Sequence, residues 1–284
     1  MDTRFLESLL AVAETGSIAA AARQQGLTAA AISQRIRVLE TEFGERLLNR
    51  SAHAAAPTEA CLRLLPAARR LVRDAERLRG RIDPDGFSGP FRLGAVSTAL
   101  LDDASRVIGM FRQKAPNVVL SIRPGASDAL YQDLLVGTLD GAITVAAPFD
   151  LPKSVASFDL AEQRIVHVTP PAAVATGRGP LPWIVYDRTS WGGRRIFEAC
   201  RRDFFSGHIL CELDAPETIA LMVSEGIGQA ILPQWRRLTE QYPEVTLREL
   251  KQSISRKMVF LRPRASATTH LSELVVSGLQ SGVV

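Results

Sequence analysis

Cysteine is scarce in this chain of 284 residues, and its three copies, Cys61, Cys200 and Cys211, form an odd set without a Cys-x-x-Cys pair. That excludes a disulfide framework and offers no zinc-ligand spacing. Histidine is as sparse, with His53, His167, His208 and His270 far apart in the sequence, so no metal site is expected. The chain also lacks a glycine-rich dinucleotide fingerprint, a phosphate-binding loop, a His-Glu-x-x-His pair and a nucleophile elbow. Those patterns place cofactor, metal or acyl chemistry. A protein that is not an enzyme and holds no cofactor is therefore expected. No run approaches the roughly 18 consecutive apolar residues of a membrane helix, and Asp2 and Glu7 stand where a secretory leader would be basic. A cytoplasmic protein with no membrane partner and with reduced thiols is the expectation. Lysine is missing from the first 80 residues, where every cation is arginine, and the planar arginine fork suits bidentate contact with phosphate and guanine. The net charge of +4 agrees with an anionic partner without requiring one.

The composition is that of a soluble globular protein, 46% hydrophobic and 23% charged, on a chain long enough for two or more domains. Its most informative stretch is residues 17–40. Ser17 can cap one helix, Gly26 can end it in a left-handed conformation, and Thr28 can cap the next. On the second helix Ile32, Ile36 and Leu39 recur at spacings of four and three and face inward. Thr28, Ala29, Ser33, Arg35 and Arg37 then face outward, making a short, polar and basic face. Such a hairpin alone also fits an alanine-rich corner of a larger core. What flanks it favours a helix-turn-helix: Phe5, Leu6, Leu9, Leu10 and Ala13 form a preceding helix, and after Gly44 a strand over 45–50 and a turn-prone stretch over 51–57 make a wing.

From Thr58 the residues Leu64, Ala68, Leu71, Ala75, Leu78 and Ile82 alternate at four and three, a coiled-coil seam interrupted by Pro66. A dimerising linker helix over 58–82 is expected, or else an amphipathic helix lying on its own domain. Turn residues over 83–90 mark a hinge. Beyond it short strands alternate with helices: strand 91–96, helix 99–114, strand 118–122, helix 127–137 and strand 142–145, then strands 165–168 and 183–186, helix 194–204, strand 209–213, helix 216–225 and strand 230–232. That alternation implies parallel sheet in two successive α/β lobes.

The run Ala-Ile-Ser-Gln-Arg-Ile-Arg-Val-Leu-Glu, followed by Phe-Gly-Glu-Arg-Leu-Leu-Asn-Arg and Pro-Thr-Glu-Ala, resembles the amino-terminal signature of LysR-type transcriptional regulators. Three further stretches, 134–140, 217–223 and 226–233, are similar to the effector region of that family, so the resemblance spans almost the whole chain. It implies an α/β protein with an all-α winged helix-turn-helix amino-terminal domain (1–57) and a two-lobed, periplasmic-binding-protein-like effector domain (91–284). The chain is expected to cross to the second lobe near Glu162 and return near Arg262, giving lobes 91–162 with 263–284, and 163–262. The last helix, 271–279, would pack on the first lobe.

The resemblance carries DNA contact to Thr28, Ala29, Ala30, Ser33, Gln34 and Arg35 on the recognition helix and to Arg50 and His53 in the wing. Short hydroxyls at Thr28 and Ser33 suit phosphate, whereas Gln34 and Arg35 have the reach for base edges. Alanine at 29 and 30, where the family carries a polar residue and a proline, limits that end to thymine-methyl contact and gives DNA shape more weight. The wing also lacks the family's glycine and arginine. For the effector, the resemblance points to Ser97, Thr98 and Ser127 from the first lobe and to Thr189, Ser190, Thr218 and Ile227 from the second. Serine and threonine at helix starts are also ordinary caps. The implied partners are double-stranded promoter or operator DNA, a small-molecule effector such as a carboxylate, a second copy of the chain in a homodimer or homotetramer, and RNA polymerase. Some peroxide-sensing members use two effector-domain cysteines, but Phe197, Ile209 and Leu210 around Cys200 and Cys211 favour buried structural thiols. Two other classes remain open at this stage: a small-molecule receptor whose amino-terminal domain serves only assembly, and an α/β transferase, for which no polar catalytic cluster is found.

Overall fold

Each of the first three helices starts on a capping side chain. In the computed structural model, which describes residues 2–50, 54–81, 87–171, 180–200, 205, 207–266 and 268–280, α1 (Thr3–Thr15) is capped by Asp2, α2 (Ile18–Gln25) by Ser17 and α3 (Ala29–Phe43) by Thr28. Gly26, at φ 63°, makes the left-handed turn between α2 and α3. Leu6, Leu9 and Val12 of α1, Ala21 and Ala22 of α2, and Ile32, Ile36 and Leu39 of α3 form one buried core. Each of its larger side chains contributes about 1.5–3 kcal/mol by leaving water. The wing is a hairpin of β1 (Leu48–Arg50) and β2 (Ala55–Pro57), paired antiparallel from Leu48↔Pro57 to Arg50↔Ala55. Its first strand is shorter than expected. Glu40 Oε1 accepts hydrogen bonds from Leu47 N at 3.0 Å and Leu48 N at 3.3 Å, so the preceding residues are drawn against the end of α3.

Helix α4 (Glu59–Arg81), capped where Thr58 Oγ1 accepts from Cys61 N, uses two faces. Cys61, Ala68 and Val72 are buried in the amino-terminal core, and Arg69 pairs with Glu14 at 2.9 Å. Leu71 and Leu78 are exposed at 47% and 57%. The expected seam is thus divided: Ala68 serves its own domain, and the leucines further on remain outside. Ile82 lies beyond the described residues.

A second compact unit begins at Pro90. In chain order it contains β3 (Ser88–Ala95), α5 (Ser97–Lys114), β4 (Asn117–Pro124), α6 (Ser127–Leu135), β5 (Gly141–Val145), β6 (Val155–Thr169), β7 (Trp183–Tyr186), α7 (Trp191–Cys200), β8 (Ile209–Leu213), α8 (Pro216–Ser224), β9 (Ala230–Pro233), α9 (Leu238–Gln241), β10 (Thr246–Glu249), β11 (Ser255–Pro263) and α10 (Thr269–Gln280). The order β10-β6-β11-β5-β3-β4 runs through one sheet, with β9 also on β6. Strands β3 and β5 are parallel, as are β7 and β8.

Two long strands join the lobes. β6 and β11 pair antiparallel from Ser255↔Arg164 to Pro263↔Val155, with a register irregularity between Lys257 and Val259. Met258–Leu261 already pair with β5 of the first lobe, whereas Ile165–Thr169 pair with β9 and β10 of the second. The return crossing therefore falls at residues 255–257, earlier than the expected Arg262, because β11 joins the first-lobe sheet as soon as the irregularity is passed. In the second lobe Trp183, Ile184, Ile196, Cys200, Ile219, Leu232 and Trp235 share a core. Cys211 is partly buried against it and neither thiol is in a disulfide, but Leu210 points outward at 47% exposure, because alternation along β8 turns only its odd-numbered residues inward.

Candidate functional site

On α3, with Ile32, Ile36 and Leu39 inside, Thr28, Ala29, Ala30, Gln34 and Arg37 are exposed and Ser33 and Arg35 are half-buried. Thr28 Oγ1 is already used, accepting from Ala31 N at 3.1 Å. Arg35 is not the free outward arm that its spacing suggests. Its Nη1 donates to Ser8 Oγ at 3.1 Å and to Arg4 O at 3.4 Å, which ties one edge of the guanidinium to α1. Ser8 is wholly buried and donates in turn to Gln25 Oε1, so one hydroxyl knits α1, α2 and α3. The anchoring leaves Nε and Nη2 of Arg35 as oriented donors at the edge of the basic face. The Arg50 backbone pairs with Ala55 in the wing, and His53 lies outside the described residues.

In the second unit, helices start just beyond the carboxyl ends of strands: α5 after β3, α6 after β4, α7 after β7 and α8 after β8. Such ends are where α/β folds receive ligands. Thr98 is wholly buried there, and its hydroxyl donates to Gln163 Oε1 at 3.2 Å while accepting from Arg256 Nη2 at 2.7 Å. Gln163 Oε1 also accepts from Arg256 Nε at 2.9 Å and Nη2 at 2.8 Å. One residue from each joining strand thus meets the start of α5. Arg256 was not legible as a site residue; only the pairing of β11 with β6 brings it here. Its side chain is buried, with no carboxylate in ion-pair contact among the described residues, and Nη1 has no hydrogen-bond partner. Burial pulls the Arg256 pKa below the usual arginine value, while Tyr186, whose ring it overlies at 5.9 Å, and Asp214 oppose that pull.

The other expected effector residues divide. Ser127 is buried, and its Oγ accepts from Val145 N at 3.1 Å, fixing the end of β5. Ser190 is a cap, donating to Asp187 O at 2.8 Å and accepting from Gly193 N at 3.1 Å. Thr189 turns back onto Asp187 Oδ1 through its N–H and its hydroxyl. Ser97 is half-buried at the start of α5, and Thr218 is half-buried in the first turn of α8. Ile227 does not join them. Trp183 bridges Gln229 at the amino end of β7, and Ile227 precedes that point, so it lies toward the opposite end of the strand from Tyr186.

Two further features frame the cleft. Tyr131 of α6, Phe149 beyond β5 and Trp191 at the start of α7 pack mutually at 5.4–5.7 Å between ring centroids, joining first lobe to second. Beside them the α7 backbone approaches closely: a Cβ on Gly192 would lie 2.6 Å from Arg256 Nη1, and one on Gly193 would collide with Asp187 O. Carboxylates gather at the same strand ends, with Asp128 in α6, Asp187 after β7, Asp214 after β8 and Glu217 in α8. Burial raises the Asp214 pKa, as do the charges of Asp187 and Asp128, against the Tyr186 hydroxyl that holds it down. A cavity of about 440 Å³ lies one turn further along α5, lined by Asp102, Asp103, Arg106, Gln163 and Arg236. Its charged groups are largely partnered: Asp102 accepts from Arg236 N at 2.8 Å, and Arg106 pairs with Asp103.

Residues 3–62 match the family model described as bacterial regulatory helix-turn-helix protein, lysR family, and residues 84–281 match the LysR substrate binding domain. The chain is 28% identical over 243 residues to the probable HTH-type transcriptional regulator LrrA of Synechococcus elongatus, a match covering 82% of this chain and 81% of that one. It is 30% identical over 240 residues to the HTH-type transcriptional regulator CbbR of Cereibacter sphaeroides, with coverage of 80% and 76%. Among solved structures, full-length CbnR complexed with its target DNA superposes with a TM-score of 0.68 at 17% identity, over 99% of each chain, which is a likeness of fold.

Proposed function

Because the chain belongs to the LysR family of DNA-binding bacterial transcriptional regulators, we propose that α3 reads its operator and that a small carboxylate held between the two lobes controls the outcome. The free face of α3 carries the first half of this reading. Thr28 and Ser33 stand where phosphates would pass, Ala29 and Ala30 offer only methyl contact, and Gln34 with the anchored Arg35 supplies base-edge donors. Arg50 and His53 of the wing would add contacts alongside. The second half is supported by the start of α5, which has no side-chain cap, and by the buried, unpartnered Nη1 of Arg256 beside Thr98. Backbone donors at a helix start and a buried guanidinium both favour a carboxylate. The exposed Leu71 and Leu78 of α4 suit pairing with a second copy, so that two winged domains would engage two half-sites. A cytoplasmic location and contact with RNA polymerase complete the proposal.

The test is an anisotropy titration of the full chain against DNA from upstream of its own gene and against a scrambled duplex, at two salt concentrations. Tight binding to the native fragment, with weak and steeply salt-dependent binding to the scramble, is the expected result. Equal weak binding to both, repeated across further genomic fragments, would remove operator reading.

A further inference from the structure

The interior at the cleft end of the second unit holds two unmatched polar atoms of opposite kind. Arg256 Nη1 is a buried donor with nothing to donate to, and it points at the start of α7, where Gly192 has no side chain to meet it. Glu217 Oε2 is a buried acceptor with nothing to accept from, at the start of α8. A buried donor or acceptor left unmade is destabilising, so each favours a ligand group that completes it. The 440 Å³ cavity makes no comparable demand, since Asp102, Asp103 and Arg106 are already partnered.

The charges beside these atoms are unequal. Asp128, Asp187, Asp214 and Glu217 stand at the neighbouring helix starts, and the cation buried beside them is Arg256. Arg188, next to Asp187, is clamped by Glu212 at 2.8 Å and cannot balance them. A ligand bearing only a carboxylate would satisfy Arg256 and face the four acids. One bearing only an amine would satisfy the acids and leave Nη1 open. Both demands are met by a molecule with the two charges.

We propose that the cleft ligand is a zwitterion of the amino-acid type, its carboxylate received by Arg256 Nη1 and its ammonium by the Asp214–Glu217 edge of the second lobe. This rests on the effector reading above and narrows it. Tyr131, Phe149 and Trp191 pack together across the lobes, Trp191 next to the Gly192 that faces Nη1, and Nη1 is itself buried, so the lobes must part for the ligand to enter.

The experiment is thermal-shift and calorimetric titration of the full chain with the twenty L-amino acids, β-alanine and γ-aminobutyrate, each beside its matched amine without the carboxylate and its matched acid without the amine. At least one zwitterion is expected to raise the unfolding midpoint, with both matched compounds weaker by at least about tenfold. The double variant Asp214→Asn, Glu217→Gln, which keeps shape and lies off the core, should bring amino-acid affinity down to that of the matched acid while leaving acid binding in place. A matched acid that binds as tightly as its amino acid, a double variant that binds both unchanged, or no response to any zwitterion would overturn the proposal. Operator anisotropy on the same preparation separates this failure from failure of the regulator reading, which would remove specific DNA binding instead.

Discussion

Arg256 sits in the interior with neutral oxygens as its direct partners, an arrangement whose desolvation penalty only a complete set of hydrogen bonds can offset. Thr98→Val keeps the shape and removes one of those oxygens. It should cost about 1–3 kcal/mol of stability, read as a lowered urea midpoint with unchanged slope. Arg35 is likewise held at one edge, by Ser8 and Arg4. If its free donors meet a base, Arg35→Ala should weaken the preferred operator by about 1–3 kcal/mol and spare the scramble; equal losses in an anisotropy comparison would make it a phosphate contact. His167 Nε2 donates to Gln229 Oε1, 2.9 Å away, and burial holds its pKa below the ordinary 6.5, with the Gln229 bond opposing. The unfolded chain then takes up the proton before the folded one does. Stability is therefore full above about pH 6.5 and declines as pH falls toward the lowered folded value. Thermal melts across that window should show the decline, and His167→Gln should flatten it. Thr98 was legible in the sequence as a hydroxyl at a helix start, whereas Arg256 was not: beside Lys257 on a short polar stretch it looks solvent-facing until strand pairing places it.

Among the elements, the caps made α2 and α3 readable nearly to the residue, because Ser17, Thr28 and Gly26 act within one turn of their own backbone. β8 was readable for a similar reason, with an apolar alternation that needs no distant partner. β6 was visible only over 165–168, and β11 was not read as a strand. Their register is set by each other and by β5, β9 and β10, contacts distant in sequence, and Glu162, Arg164 and Lys257 dilute the apolar pattern. The seam of α4 lies between these cases. Its spacing was legible, but spacing alone does not assign Ala68 to the home core and leave Leu71 and Leu78 exposed. Replacing both leucines by glutamate should lower the oligomeric state in sedimentation while leaving the melt of the amino-terminal domain near its original value. If the assembly is unchanged, another face holds the copies together.

At the scale of the molecule, the two lobes are joined by a strand pair with an irregular register at the crossing, and by three aromatic rings near the cleft. Bulged pairs of this kind bend and twist more than regular ladder, so relative motion of the lobes would concentrate at Lys257 and its neighbours. Domain order and the two-lobed plan were legible from strand and helix alternation, but the position of the crossing was not. The rings also sort the three tryptophans by location. Trp183 and Trp235 are buried in the core of the second lobe, whereas Trp191 alone lies against Tyr131 and Phe149 of the first. Parting the lobes would expose that one indole to water, so its emission should shift to the red on opening and Trp191→Phe should abolish the shift. The chain thereby carries an intrinsic optical gauge of its own opening, legible without any attached dye.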